Sequence, residues 1–338
     1  MRIGLTFNLK SGAGKTSAEH SHAPADDLEE EFDSPETVAA LAETVRSLGH
    51  EVELLGDGEP LLRRLLDGPR PDLVLNIAEG TGASRTREAR VPAVLEMLGI
   101  PYTGSDPLTL SVTLDKECAK RLVHQAGVPT PGWALVEEGE LAAIDGQLSK
   151  LAWPLFVKPA YEGSSKGVLR SGLAHDRQQL ADIVGKLWAL YDQPLLVEEF
   201  IDGEELTVGL VGNPPRVLGV MRILPKQPGG PFIYGIEVKR DWEQSLIYES
   251  PAKISPGDEA AVHQAALAAW RALGCRDVAR FDFRLRDGVP YFLEVNPLPG
   301  LSPQSGDLVF LARGVGIEHR ELLSRILAAA VARTADVF

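Results

Sequence analysis

Three groups of residues, far apart in the chain, have types and spacings that fit a nucleotide and a divalent metal. The first is Lys158-Pro159-Ala160-Tyr161-Glu162-Gly163-Ser164-Ser165-Lys166-Gly167-Val168. It follows the apolar run Leu155-Phe156-Val157, so Lys158 falls at a strand end. Glycines and serines present backbone N–H groups without bulk. Such a loop can close over phosphates while Lys158 meets one as a point charge. The alternative is a surface turn with a solvated lysine. The second group is Glu198-Glu199-Phe200-Ile201-Asp202-Gly203-Glu204-Glu205. An adenine needs an acceptor for its amine, a backbone N–H and an apolar slot, and a ribose needs a carboxylate. Glu198, the backbone near Phe200 and Ile201, and Glu205 can supply these. A charged hairpin tip is the commoner use of such a run. The third group is Arg280-Phe281-Asp282 followed by Leu293-Glu294-Val295-Asn296-Pro297. Alternation places Arg280 and Asp282 on one strand face, and Glu294 and Asn296 likewise. Two adjacent antiparallel strands would gather hard oxygen ligands that suit Mg²⁺. A salt-bridged polar face is the alternative, but carboxylates crowded among apolar residues are costly without a cation.

Those groups need a scaffold, and the rest of the chain supplies one. Residues 2–8 read as a strand. Ser34-Pro35-Glu36 opens a helix with apolar Val38, Leu41, Ala42, Val45 and Leu48 at helical spacing. Strands at 51–55 and 72–77, a helix between them and another at 91–98 make an alternating pattern. That pattern predicts a doubly wound parallel sheet over the first hundred residues or so. A helix at about 115–126 ends at Gly127, and Pro129, Pro131 and Gly132 mark a linker. Short strands at 155–159 and 195–200 flanking one amphipathic helix predict a small α+β lobe. Beyond Thr207, strands alternate with tight turns such as Asp287-Gly288. Helices at about 256–273 and from about 318 complete the chain. One motif misleads: Gly12-Ala13-Gly14-Lys15-Thr16 looks like the end of a P-loop, but the glycine needed five positions before Gly14 is Leu9.

Composition narrows the class. The 338 residues are 44% hydrophobic and 24% charged, the balance of a soluble globular protein with a large core. The net charge of −14 disfavours nucleic acid or a membrane surface as partner. Much of the excess lies in Asp26-Asp27-Leu28-Glu29-Glu30-Glu31-Phe32-Asp33, which reads as a solvated acidic loop. No apolar run is long enough to span a bilayer, and no signal peptide is evident. Cys118 and Cys275 form no CxxC pair and read as small hydrophobes, so a cytoplasmic setting is expected.

The motifs taken together resemble the D-alanine–D-alanine ligase family of the ATP-grasp superfamily. The matching segments are Gly99-Ile100-Pro101-Tyr102-Thr103-Gly104-Ser105-Asp106, Leu114-Asp115-Lys116, the Lys158–Val168 loop, Glu204-Glu205-Leu206-Thr207-Val208, Arg280-Phe281-Asp282, and Leu293 through Leu301. They occur in the family's order over about 95–335. The resemblance implies an α/β ATP-grasp fold: a doubly wound parallel-sheet domain (1–105), a central lobe (106–200) and a C-terminal lobe (201–338), the two α+β lobes clasping ATP. It implies that Lys116 and Lys158 contact the ATP phosphates, with Glu162, Gly163 and Ser165 in the binding loop. Glu198, Glu199, Phe200, Ile201 and Glu205 would form the nucleotide slot. Lys239 would lie near the γ-phosphate. Asp282, Glu294 and Asn296 would hold two Mg²⁺, with Mn²⁺ as a substitute. Arg280 would stabilise the acyl phosphate, Ser164 would help hold the first substrate, and Gly300 and Ser305 would face the second. A homodimer follows by resemblance only.

The departures gather on the first-substrate side. The family's N-terminal glycine- and glutamate-bearing stretch is replaced by Thr6-Phe7-Asn8-Leu9-Lys10 and the polar loop. Its His-Gly motif is replaced by Asn76-Ile77-Ala78-Glu79-Gly80. Its tyrosine after the γ-phosphate lysine is Arg240. The expectation is therefore an ADP-forming carboxylate–amine ligase acting on small amino-acid-like substrates, with Glu79 and Arg240 on the substrate side. Two other readings stay in play: the same chemistry on other amino acids or a specialised-metabolite acid, and a non-catalytic nucleotide-binding module.

Overall fold

The computed structural model describes residues 1–10, 27, 29–138, 140–227 and 229–335. The Gly12–Thr16 motif lies outside them. Among the described residues the strands form three sheets. The first is built from β1 (Arg2–Thr6), α1 (Pro35–Ser47), β2 (Glu51–Leu54), α2 (Gly58–Asp67) and β3 (Leu73–Asn76), with α3 (Arg90–Met97) following. It is parallel, in the order β2-β1-β3, as the alternating pattern predicts. Ser34 caps α1 by accepting from Thr37 N at 3.2 Å, and Pro35 pre-sets the first turn.

Next come α4 (Pro107–Leu114) and α5 (Lys116–Gln125). The sequence reading found only the second. In α4 the apolar residues Leu108, Leu110, Val112 and Leu114 fall at every second position, so no helical period shows. The start signal is Asp106, whose carboxylate accepts from Thr109 N at 2.9 Å, with Pro107 after it. Both helices are therefore aimed by acidic caps, since Asp115 accepts from Cys118 N at 3.0 Å.

The second sheet is antiparallel, in the order β4-β7-β5-β6. Its elements are β4 (Trp133–Val136), α6 (Asp145–Leu148), β5 (Leu155–Pro159), β6 (Leu173–Ala174), α7 (Arg177–Tyr191) and β7 (Leu195–Glu199). The third sheet, order β10-β9-β8-β11-β12, contains β8 (Glu204–Val211), β9 (Arg216–Pro225), β10 (Leu246–Glu249), β11 (Val278–Arg286) and β12 (Val289–Asn296). Helices α8 (Ile236–Arg240) and α9 (Trp242–Ser245) lie between β9 and β10, and α10 (Pro256–Leu273) follows β10. Helices α11 (Asp307–Gly314) and α12 (His319–Ala335) end the chain. Asp287 and Gly288, with φ of 52° and 75°, make the tight β11–β12 turn that the sequence announces.

The acidic run requires a correction. It is not a solvated loop throughout, because Asp27 and Glu31 are buried at 3% and 8% exposure. Asp27 accepts from Tyr191 Oη at 2.6 Å and from Gly167 N at 3.0 Å. Glu31 pairs with Arg87 at 2.8 Å. No local signal reveals this burial, because the partners lie 56 to 164 residues away.

Candidate active site

The β11–β12 pair sets the metal-fitting face. Register places Arg280 opposite Asn296 and Asp282 opposite Glu294. The register then shifts, so that Phe283 faces Phe292 and Leu293 is the extra residue. This bulge changes which way β12 points. Phe292 and Val295 enter the core, while the consecutive Leu293 and Glu294 both line one cavity. Plain alternation would have sent one of the two inward.

Arg280 holds Asp282 through contacts at 2.9 and 3.2 Å and reaches Asp307 at 3.1 Å. Asp282 also accepts from Thr207 Oγ1 at 2.8 Å and from Asn296 Nδ2 at 3.2 Å. Burial raises the Asp282 carboxyl above its ordinary value; Arg280 opposes this and Glu294 adds to it. Burial works against ionised Glu294 too, but Lys116, Lys158, Lys239 and Arg280 hold it down at about 2. Two facing acidic groups and an amide on one strand pair are a hard-oxygen donor set, and they fit a cation that would relieve their repulsion.

Two cavities meet here. The smaller, about 80 Å³, is lined by Lys158, Glu198, Glu199, Phe200, Ile201, Glu205 and Asp282 among others. The larger, about 310 Å³, takes in Lys116, Glu162, Gly163, Ser164, Arg280, Asn296, Gly300 and Ser305. Tyr234, Lys239 and Glu294 line both. The sequence-predicted lysines thus converge from three elements: Lys116 from α5, Lys158 from β5 and Lys239 from α8. Lys239 Nζ stands 4.4 Å from the Tyr234 ring centre. Lys116 Nζ lies 3.6 Å from Glu294 and donates to the carbonyl of Glu162.

Several expected residues are more engaged than their sequence suggested. Glu198 faces Lys158 at 2.7 Å and Lys120 at 2.8 Å. Burial alone would raise its carboxyl, yet the two lysines hold it below the usual range. Glu199 accepts from Ala152 N at 2.8 Å, and Glu205 pairs with Arg284 at 2.5 Å. Glu162 faces Arg87 at 3.3 Å and accepts from Gln193 at 2.7 Å. Ser165 Oγ donates to the Tyr234 carbonyl at 3.3 Å. Ser305 Oγ donates to Ser302 Oγ at 3.0 Å. Arg240 stands outside the lining of both cavities and pairs with Glu30, which lines the larger one, at 3.0 Å.

Sequence reasoning missed Lys120, Arg284 and Asp307, and it placed Tyr234 only at the start of a candidate lid, without a partner. Tyr234 Oη donates to Asp307 Oδ1 at 2.9 Å, so Asp307, at the start of α11, links it to Arg280. None of the four sits in a recognisable motif, and each gains its place through a long-range pairing. The larger cavity also gathers Asp33, Glu79 and Glu88. Burial pushes Asp33 up to about 7, with Lys10 opposing, and Glu88 up to about 8. Glu79 is raised well above its ordinary value by burial and then by Glu88.

Known proteins resemble this chain in sequence and fold. The family profile described as D-ala D-ala ligase C-terminus matches residues 122–328. The chain is 38% identical to the D-alanine–D-alanine ligase of Polaromonas sp. over 71% of this chain and 70% of that one. It is 33% identical to that of Syntrophotalea carbinolica over 88% and 91%. A solved D-alanine–D-alanine ligase from Bacillus anthracis, complexed with ATP, superposes with a TM-score of 0.75 and 25% identity over 100% of this chain and 99% of that one.

Proposed function

The chain belongs to the D-alanine–D-alanine ligase family of ATP-dependent, ADP-forming, peptide-bond-forming ligases, and we propose that it works through an acyl phosphate in its two joined cavities. The observation that carries this reading is the junction itself. Lys239 and Glu294 line both the smaller slot and the larger chamber, so a cation and an acidic donor meet where a phosphoryl group would pass between two substrates.

In this reading the adenine lies against Phe200, Ile201 and Leu293, and Glu205 faces the ribose. Lys116 and Lys158 hold the phosphates, with backbone N–H groups of the 163–167 loop. Asp282, Glu294 and Asn296 would hold two Mg²⁺, which when bound neutralise phosphate charge. Lys239 meets the γ-phosphoryl group as the first substrate's carboxylate oxygen attacks it and ADP leaves. A carboxylate is a poor electrophile, and the acyl phosphate gives it a good leaving group. Arg280, aligned by Asp282 and Asp307, stabilises the charge on the carbonyl oxygen when the second substrate's amine attacks. Ser164 lies on the first-substrate side, and Gly300 and Ser305 lie against the second. The 163–167 loop and the 234–242 segment exclude water from the acyl phosphate.

ADP release with pairs drawn from D- and L-amino acids, followed by mass spectrometry, tests the reading. A dipeptide product from D-alanine is expected. Nucleotide binding without ADP formation for any pair would overturn it in favour of a non-catalytic module.

A second reading keeps the chemistry and changes the acid. Asp33, Glu79 and Glu88 line the larger cavity, and none makes an ion pair among the described residues. These carboxyls hold protons in the free protein, and a first substrate with an additional ammonium group would displace them and pair with the carboxylates, which one with a plain methyl side chain cannot do. Faster turnover with a diamino acid than with D-alanine in the same panel would select it.

A further inference from the structure

The glycine-rich loop is held from outside its own sheet. Gly163 N donates to Glu31 Oε1 at 2.5 Å, and Gly167 N donates to Asp27 Oδ2 at 3.0 Å. Between these two anchored amides stand Ser164 and Ser165, with φ of 47° and 62°. Side-chain-bearing residues rarely adopt this region, and two in succession persist only where neighbours hold them. The holder behind Glu31 is Arg87. Its guanidinium reaches both oxygens of Glu31, at 2.8 and 3.0 Å, and Glu162 at 3.3 Å, and it donates to the Tyr161 carbonyl at 2.7 Å. Lys166 pairs with Glu162 and lies 3.5 Å from Glu31. Two anions and two cations therefore balance in a site where the Arg87 side chain is 1% exposed. Such a buried cluster adds little net stability, because desolvation offsets the attraction. What it contributes is geometry. Arg87 lines neither cavity, whereas Glu31, Glu162, Gly163 and Ser164 line the larger one.

We infer that Arg87 is a positioning residue: through Glu31 and Glu162 it fixes the loop so that the backbone amides of Ser164 and Ser165 face the nucleotide. The same contacts bind the loop to residues 29–33, of which Glu30 and Asp33 also line the larger cavity. Arg87 thereby couples the nucleotide clamp to the first-substrate wall. The inference rests on reading the 163–167 loop as the phosphate clamp.

Steady-state kinetics of Arg87→Met and Arg87→Lys, with ATP and the amine substrate varied separately, test it. Arg87→Met is expected to raise KM for ATP and lower kcat, together costing on the order of ten- to a hundred-fold in kcat/KM. KM for the attacking amine should stay within about two-fold. Arg87→Lys, which keeps the charge but cannot bridge both carboxylates and the carbonyl, should recover only part of the loss. If Arg87→Met does not fold, the charge-balanced Glu31→Gln/Arg87→Met pair decides the matter by the same split. A folded variant with unchanged KM for ATP and unchanged kcat overturns the inference. So does an equal loss toward both substrates, which marks a merely structural role. A wild-type protein that binds no nucleotide instead overturns the clamp reading, and this inference with it.

Discussion

Single carboxyl groups in the cavity take opposite charge states because their neighbours differ. Glu294 is buried, but Lys116, Lys158, Lys239 and Arg280 outweigh the burial and hold it at about 2. Glu88 is buried as well. Arg87 and Lys116 oppose the burial there, Glu31 reinforces it, and the carboxyl rises to about 8. Glu79 faces Glu88 and is raised in its turn. Glu294 thus stays anionic, while Glu88 retains its proton near neutrality. The sign of the consequence follows from linkage. The folded Glu88 carboxyl titrates above its ordinary 4.5, so folding takes up a proton that the unfolded chain gives up. Its stabilising contribution is complete below pH 4.5 and is lost as pH rises toward about 8. Thermal unfolding between those limits should show Tm falling with pH in the ligand-free protein. In Glu88→Gln the fall should be shallower, with a remainder from Asp33 and Glu79. An unchanged slope in the variant would rule out Glu88 as a source.

The β11–β12 hairpin shows how one extra residue aims several others. With Leu293 bulged, the core receives Phe292 and Val295, and the cleft receives Leu293 and Glu294. Deleting Leu293 would join Phe292 to Glu294 in plain alternation, keep the facing of both sides, and remove the bend and the slot-lining side chain together. We expect the deletion to lower ADP formation beyond the loss of the side chain alone, because the strand carrying Glu294 and Asn296 loses its bend. Leu293→Ala, which keeps the bulge and loses only slot contact, should raise KM for ATP roughly five- to thirty-fold, the equivalent of about 1–2 kcal/mol of lost apolar contact. A deletion variant with near-normal turnover would show that the bulge is dispensable. The hairpin also marks what sequence can tell. The Asp287-Gly288 turn, the alternation placing Arg280 with Asp282, and the strand-end position of Lys158 are local signals, and all were readable. The bulge was not, because nothing in Phe292-Leu293-Glu294-Val295 says where alternation breaks. Helix α4 hid behind a two-residue apolar period. The acidic run read as solvated because charge alone cannot reveal an Arg87 lying 56 residues beyond Glu31.

At the scale of the molecule, the three sheets do not own three equal cores. Ile3, Leu5 and Leu75 of the parallel sheet share one cluster with Val211 and Val278 of the third sheet, bridged by Leu308 of α11 and by Leu323 and Ile326 of α12. Asp277 fastens the same joint, accepting from Gly104 N and from Arg333, both at 2.8 Å. The β4–β7 sheet has a core of its own, from Ala134 to Val197. It meets the rest through polar contacts such as Glu198 with Lys120, Gly163 with Glu31, and Lys116 N with the Ala160 carbonyl at 3.0 Å. Apolar cores melt cooperatively, whereas polar seams between them do not bind two cores into one unit. Calorimetry of the ligand-free protein should therefore resolve two transitions, the lower from the β4–β7 lobe. A nucleotide lodged between Lys158 of that lobe and Asp282 of the third sheet binds only when both are folded. At about a hundred times its Kd it should stabilise the lower transition by roughly 2.7 kcal/mol and draw it toward the upper one. A nucleotide that binds yet leaves the lower transition in place would mean that it touches only one side of the cleft, and the lysines of the central lobe would have to be given another purpose.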